Sequence, residues 1–148
     1  MTPPEVPPAA SPPPTSHQVT SAPPGQSPAA RPASALGLPR PDVAMAIGAH
    51  PDDVEFGCGA TLARWAAAGT RIHHLICTDG SKGTWDPSAN LPELVRRRQE
   101  EQRAASRCLG GTGEVTFLGR IDGELANDAG TRSEVVAAIR TVRPDVIL

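Results

Sequence analysis

Four consecutive residues, His50-Pro51-Asp52-Asp53, carry the chemistry most easily read from this chain. An imidazole nitrogen and a carboxylate oxygen are ordinary ligands for zinc. His50 and Asp53 stand three apart, so on a tight turn both can face one point. Pro51 fixes a backbone dihedral between them and narrows the turn's freedom. Asp52 cannot easily reach the same ion from the same side as its neighbour. It can lie beside the ion as a free carboxylate and take a proton from a water that zinc acidifies to a pKa of about 7. These three side chains are the minimum set for metal-assisted hydrolysis. The plainer alternative is an acidic loop whose aspartate caps a helix.

The flanking elements decide between these. Val43 to Gly48 is an uncharged apolar run, long enough for a buried strand. Beyond the polar cluster, Phe56-Gly57-Cys58-Gly59-Ala60-Thr61-Leu62 opens a helix, expected from about Glu55 to Ala68. Leu62, Trp65 and Ala66 share its inward face and Gly69 ends it. The cluster therefore sits on a strand-to-helix turn, outside the carboxyl end of a strand, where open α/β sheets bind ligands. Gly57 and Gly59 let the helix start lie close to whatever occupies the turn. They do not complete GxGxxG, so a dinucleotide site has little support.

The same alternation recurs downstream. A second strand, Thr70 to Cys77, ends just before Asp79 on the same edge as His50. His73 and His74 are neighbours in that strand, so they point to opposite faces and cannot share a metal. A second helix spans about Pro92 to Leu109. Its apolar positions are Leu91, Leu94, Val95, Ala105, Cys108 and Leu109, and the stripe between them passes through Arg98, Glu101 and Gln102. Arg98 and Glu101 thus fall inward, three apart, where they can pair. A half-buried ion pair is costly unless something recovers it, which favours a place at a site. Arg96, Arg97, Glu100, Arg103 and Arg107 form a solvated face. A third strand, Glu114 to Leu118, leads to an Asp122-Gly123 turn. A third helix, Ser133 to Val142, turns Val135, Val136, Ile139 and Val142 inward, and Val146 to Leu148 starts a fourth strand.

The string Ala49-His50-Pro51-Asp52-Asp53-Val54-Glu55 resembles the AHPDDxE signature of the PIG-L/LmbE-like zinc-dependent N-acetylglucosaminide deacetylases. Further matches follow in order: Thr78-Asp79-Gly80, Arg98-Gln99-Glu100-Glu101 with Ala105 and Leu109-Gly110, Asp122-Gly123, and Arg143-Pro144-Asp145. The resemblance runs from about Val43 to Leu148. It implies a Rossmann-like α/β fold, mostly parallel, and a hydrolase that removes the N-acetyl group from a GlcNAc-type sugar conjugate. Zn2+ would be held by His50 and Asp53, with Asp52 as general base. By the same resemblance Arg98 binds substrate hydroxyls, the Asp79 loop lines the substrate pocket, and Asp122 accepts from a sugar hydroxyl. Zinc catalysis normally uses three protein ligands plus water, and two are present. In the common strand order 3-2-1-4 the fourth strand lies beside the first, so the loop past Leu148 is where a third ligand belongs. The family carries an HPDH-like segment with the remaining histidine at that place. Asp79 is a weaker substitute. The chain is therefore expected to be a partial domain, its C-terminal part missing.

Composition narrows the rest. The 148 residues allow one ordinary domain, and a formal charge of −2 gives no electrostatic case for nucleic acid. Aromatics at 3%, with no Tyr, supply no base-stacking platform. Cys58, Cys77 and Cys108 are odd in number and widely spaced, and fit buried residues of a reducing, cytoplasmic setting. No apolar run reaches the length of a membrane span, and the N-terminus lacks a secretory signal. Residues 1 to 40 hold 12 of the 17 prolines, with only Glu5, Arg31 and Arg40 charged. Such a segment cannot bury enough apolar surface to order itself, and reads as a disordered tail ahead of a domain over 41–148. Two other classes stay open on the residues alone. One is a Rossmann-like sugar- or nucleotide-binding module without metal catalysis. The other is an interaction protein working through Pro-x-x-Pro spacings in the tail. Neither the particular conjugate nor the oligomeric state can be read from the sequence.

Overall fold

A computed structural model of the chain describes residues 40–111 and 115–148. The expected tail lies outside them except for Arg40, and so does the expected first residue of the third strand, Glu114. The elements run β1 (Val43–Gly48), α1 (Asp53–Ala67), β2 (Arg71–Thr78), α2 (Leu91–Cys108), β3 (Val115–Arg120), α3 (Ala129–Val142) and β4 (Val146–Ile147). Every strand pairing is parallel, and the order is β3-β2-β1-β4. This is the α/β architecture the alternation predicts, with the switch point between β1 and β4.

Boundaries shift from expectation for local reasons. α1 begins two residues early, at Asp53, because Asp52 takes a left-handed conformation (φ 102°) and turns the chain straight into the helix. α2 is capped by Asn90, which accepts from the Glu93 N–H at 3.3 Å, and Pro92 needs no donor in a first turn. α3 starts four residues early, because Asp128 accepts from the Thr131 N–H at 2.7 Å. It ends at Arg143, left-handed at φ 50°, just before Pro144. Asp145 then accepts from the Asp42 and Val43 N–H groups, both at 2.9 Å, and sets β4 against the start of β1.

The core lies between the sheet and α1. Ala44, Ala46, Ile72 and Ile76 meet Val54 and Leu62, with Trp65, Ala66, Val115 and Phe117 packed around them. Arg103 of α2 stacks its guanidinium over the Phe117 ring, 4.9 Å from the centroid. On the other face Met45 and Leu75 are fully covered, yet α3 buries none of its residues. That corrects the inward stripe expected of α3 in part: Val135, Ile139 and Val142 are half-buried, but Val136 is 46% exposed. The cysteines also differ from expectation, since Cys77 is buried, Cys58 is half-buried and Cys108 is exposed, all three free. Among the described residues no helix is long and apolar enough to cross a membrane.

Candidate functional site

The site forms where β1 gives way to α1. Its first requirement is a turn tight enough to bring His50 and Asp53 together, and Asp52 supplies it by going left-handed. For a residue with a Cβ that conformation costs roughly 1–2 kcal/mol, so something must hold it. Asp53 closes the turn: its Oδ2 accepts the His50 N–H at 2.8 Å and stands 3.3 Å from His50 Nδ1. The carboxylate of Asp52 makes no helix-capping bond, so the capping alternative for this residue is not what the turn uses. It meets the Arg98 guanidinium instead, 3.1 Å from Oδ2.

Arg98 corrects an expectation. Its partner is Asp52, not Glu101, which is exposed and has Arg97 as its ion-pair neighbour at 3.9 Å. The long guanidinium also donates to Pro51 O at 2.7 Å and to Gly80 O at 2.9 Å. It thereby ties the first turn to the loop after β2. A Cβ at Gly80 or Gly83 would collide with it, so these glycines are places of close approach rather than loose chain. Gly59 likewise packs on Leu109, just past the end of α2, while Gly57 faces open space, so neither glycine lies against the turn as expected.

Asp79 and Asp122 meet at the ends of β2 and β3. Asp79 Oδ1 accepts from the Ser81 N–H at 2.9 Å and the Asp122 N–H at 3.0 Å. Burial alone would raise the Asp79 carboxyl, but these hydrogen bonds outweigh it and hold it below the usual carboxylate range. Asp122 is buried, with Oδ1 3.0 Å from His50 Nε2 and Oδ2 accepting from the Lys82 N–H at 3.2 Å. His50 thus has a carboxylate at each ring nitrogen, Asp53 at one and Asp122 at the other.

Whether this suits zinc can be tested on distances. Two ligand atoms on a tetrahedral zinc, each bonded at about 2.0–2.2 Å, stand roughly 3.4 Å apart. His50 Nδ1 and Asp53 Oδ2 already stand 3.3 Å apart. A ligating histidine also typically gives its other N–H to a carboxylate, the place Asp122 takes. The residues present fit two positions of a zinc site. Among the described residues no group of three His, Cys, Asp or Glu side chains converges to complete one.

Beneath the turn lies a buried polar cluster that the sequence did not single out for a role. Gln102 accepts the Asp52 N–H on Oε1 at 2.8 Å. Its Nε2 lies 2.7 Å from Glu55 Oε1 and 3.1 Å from His74 Nδ1. Desolvation, with a smaller push from His73, lowers the His74 pKa to about 4, so the ring is neutral near pH 7 and its Nδ1 accepts. Burial raises the Glu55 carboxyl above its ordinary range. Above these groups a cavity of about 110 Å³ opens between Asp52, Glu55, Arg98, Glu101 and Gln102. The one signal in the sequence was Gln102's place on the inward stripe of α2. Its partners lie 28 to 50 residues away and could not be read there.

A parallel sheet with an acidic, histidine-bearing turn at its switch point defines an α/β protein with a ligand site at the carboxyl edge of its strands. The sequence profile of the PIG-L family, described as GlcNAc-PI de-N-acetylase, matches residues 45–148, and the chain belongs to that family. It is 36% identical over 104 residues to the diacetylchitobiose deacetylase of Thermococcus kodakarensis, a match covering 70% of this chain and 39% of that protein. It is 30% identical over 128 residues to a 1D-myo-inositol 2-acetamido-2-deoxy-alpha-D-glucopyranoside deacetylase of Streptomyces avermitilis, covering 70% and 44%. Among solved structures, N,N'-diacetylchitobiose deacetylase from Pyrococcus horikoshii, complexed with an inhibitor, superposes with a TM-score of 0.69 at 29% identity. That match covers 72% of this chain and 40% of the other. The chain spans about two fifths of the length of these relatives.

Proposed function

We propose that this chain carries the metal-binding turn and general base of a deacetylase acting on the N-acetyl group of a GlcNAc-type sugar conjugate, a small-molecule substrate. The observation that carries this is the turn itself: His50 Nδ1 and Asp53 Oδ2 are 3.3 Å apart, and the carboxylate of the intervening Asp52 is held by Arg98 at 3.1 Å. Membership of the PIG-L family and likeness to two sugar deacetylases support the substrate class. His50 and Asp53 would hold Zn2+, and a third ligand would come from chain outside residues 1–148. The bound ion would polarise the acetyl carbonyl and acidify the attacking water.

The remaining steps belong to this chain's residues. Asp52 would take the proton of the water as its oxygen attacks the acetyl carbon. It would then return that proton to the sugar nitrogen as the C–N bond breaks, leaving a free amine and acetic acid, which gives its proton to solvent as acetate departs. Arg98 would keep that carboxylate in place, and Asp122 would fix the His50 ring. Asp79, Arg98 and Asp122, on one edge of the sheet, would also position the sugar. A phosphate-holding module is disfavoured, because α1 opens with Asp53 and Glu55, whose charges oppose an anion at that helix end. The free cysteines suit a reducing, cytoplasmic setting.

Equilibrium zinc binding to the protein and to His50→Ala and Asp53→Ala tests the ligand assignment. Each substitution is expected to weaken binding about 100-fold or more. Unchanged affinity in either variant would remove that residue from the set.

A further inference from the structure

Resting on the deacetylase function proposed above, the geometry points to a further positioning residue, Gln102, which with Arg98 clamps one peptide plane and so aims the Asp52 carboxylate. The Pro51–Asp52 peptide has two polar ends. Its carbonyl, Pro51 O, accepts from Arg98 at 2.7 Å. Its N–H donates to Gln102 Oε1 at 2.8 Å. Arg98 and Gln102 are four apart on α2, hence neighbours on one helix face. One helix therefore grips both ends of a single peptide bond.

The grip matters because of the conformation it holds. Asp52 has φ 102°, which residues with a Cβ rarely adopt. Turning the Pro51–Asp52 peptide over by half a rotation would carry φ to about −78°, an ordinary value. It would also point the N–H and the carbonyl away from both partners on α2. Asp53 closes the turn on His50 and the Phe56 N–H donates to Asp52 O at 3.2 Å, but neither bond is made by the Pro51–Asp52 peptide, and the Asp52 side chain adds no cap bond.

Gln102 is itself fixed. It is 2% exposed, and its Nε2 is committed to Glu55 Oε1 and His74 Nδ1. Reversing the amide would set NH2 against the Asp52 N–H and the oxygen against the Glu55 carboxylate. Only one orientation satisfies all three neighbours. Core residues of β2 and α1 thereby dictate the direction of a side chain at the surface of the site.

Gln102→Met keeps length and apolar bulk but removes the acceptor. Leu94→Ala, at a buried position on the same helix, loosens α2 while keeping the Gln102 acceptor and the Arg98 guanidinium. Amide hydrogen exchange of the chain is measured for both variants, together with kcat and KM for acetate release from an N-acetylglucosaminyl conjugate. In Gln102→Met the Asp52 amide should exchange at least about 10-fold faster, with the Met45 and Leu75 amides unchanged. Its kcat should fall about 10- to 100-fold with KM held within about 2-fold, while Leu94→Ala keeps kcat. Retained Asp52 protection, or loss of protection spread equally over the sheet, would overturn the clamp. The kinetic arm uses the full-length protein: should it release no acetate unmodified, the deacetylase proposal fails, and the exchange arm still decides the clamp.

Discussion

The two faces of the sheet are built differently. Against α1 and α2, apolar side chains interlock: Leu62, Ile72 and Ile76 are fully buried, and Gln102 and His74 are enclosed with hydrogen-bond partners. Against α3 the strands supply Met45 and Leu75, but the helix only half-buries Val135, Ile139 and Val142 in return. An open cleft of about 480 Å³ lies between Cys77, Leu125, Val135 and Val136. At one edge of the sheet β4 contributes two residues, and Ile147 and Leu148 stay 46% and 41% exposed. The candidate site draws its rigidity from the first face. Its Asp52 turn is held by Arg98 and Gln102 of α2.

Paired substitutions test this contrast, beginning with the largest expected effect. Leu62→Ala should cost about 2–5 kcal/mol in urea unfolding, whereas Val136→Ala should cost under about 1 kcal/mol. Equal losses would mean that both faces carry the fold alike. The buried imidazole gives a second test. His74 has a folded pKa of about 4 against an ordinary 6.5, so the unfolded chain binds more protons between those values. Its contribution is present in full above pH 6.5 and is lost as pH falls toward 4. The total is on the order of 3 kcal/mol from a shift of this size. Glu55 works in the opposite sense, since its raised carboxyl favours the protonated fold. NMR titration of the His74 ring separates the two, and a midpoint near 6.5 would show that the ring is not enclosed. The smallest effect is at Gly57, where an added Cβ meets nothing within 4 Å. Gly57→Ala should stabilise α1 by about 0.5–1 kcal/mol, read from the thermal midpoint.

Much of this architecture could be read before any coordinates. The uncharged run Val43 to Gly48 read as a buried strand, the family resemblance implied a mostly parallel sheet, and the common doubly wound order 3-2-1-4 is the order observed. The opposite facing of His73 and His74 followed from the two-residue period of a strand, and it is His74 that faces Gln102. Periodicity misjudged α3, because an apolar stripe says which side is greasy and not whether anything covers it. It also misassigned the partner of Arg98. Spacing on one helix favours Glu101, but the chain folds Asp52, 46 residues away, to within 3.1 Å. Gln102 went without a role for the same reason. A buried amide is defined by what surrounds it, and its neighbours come from three separate elements.

Acetate release from an N-acetylglucosaminyl conjugate tests the central claim most directly. The full-length protein, with the segment that supplies the third ligand, is stripped by chelator and then resupplied with zinc, alongside Asp52→Asn treated identically. The expected result is loss of activity on stripping and recovery with zinc. Asp52→Asn should bind zinc as before while turning over roughly 10²–10⁴-fold more slowly. Zinc-restored protein that releases no acetate, or an Asp52→Asn variant as fast as the parent, would contradict the account.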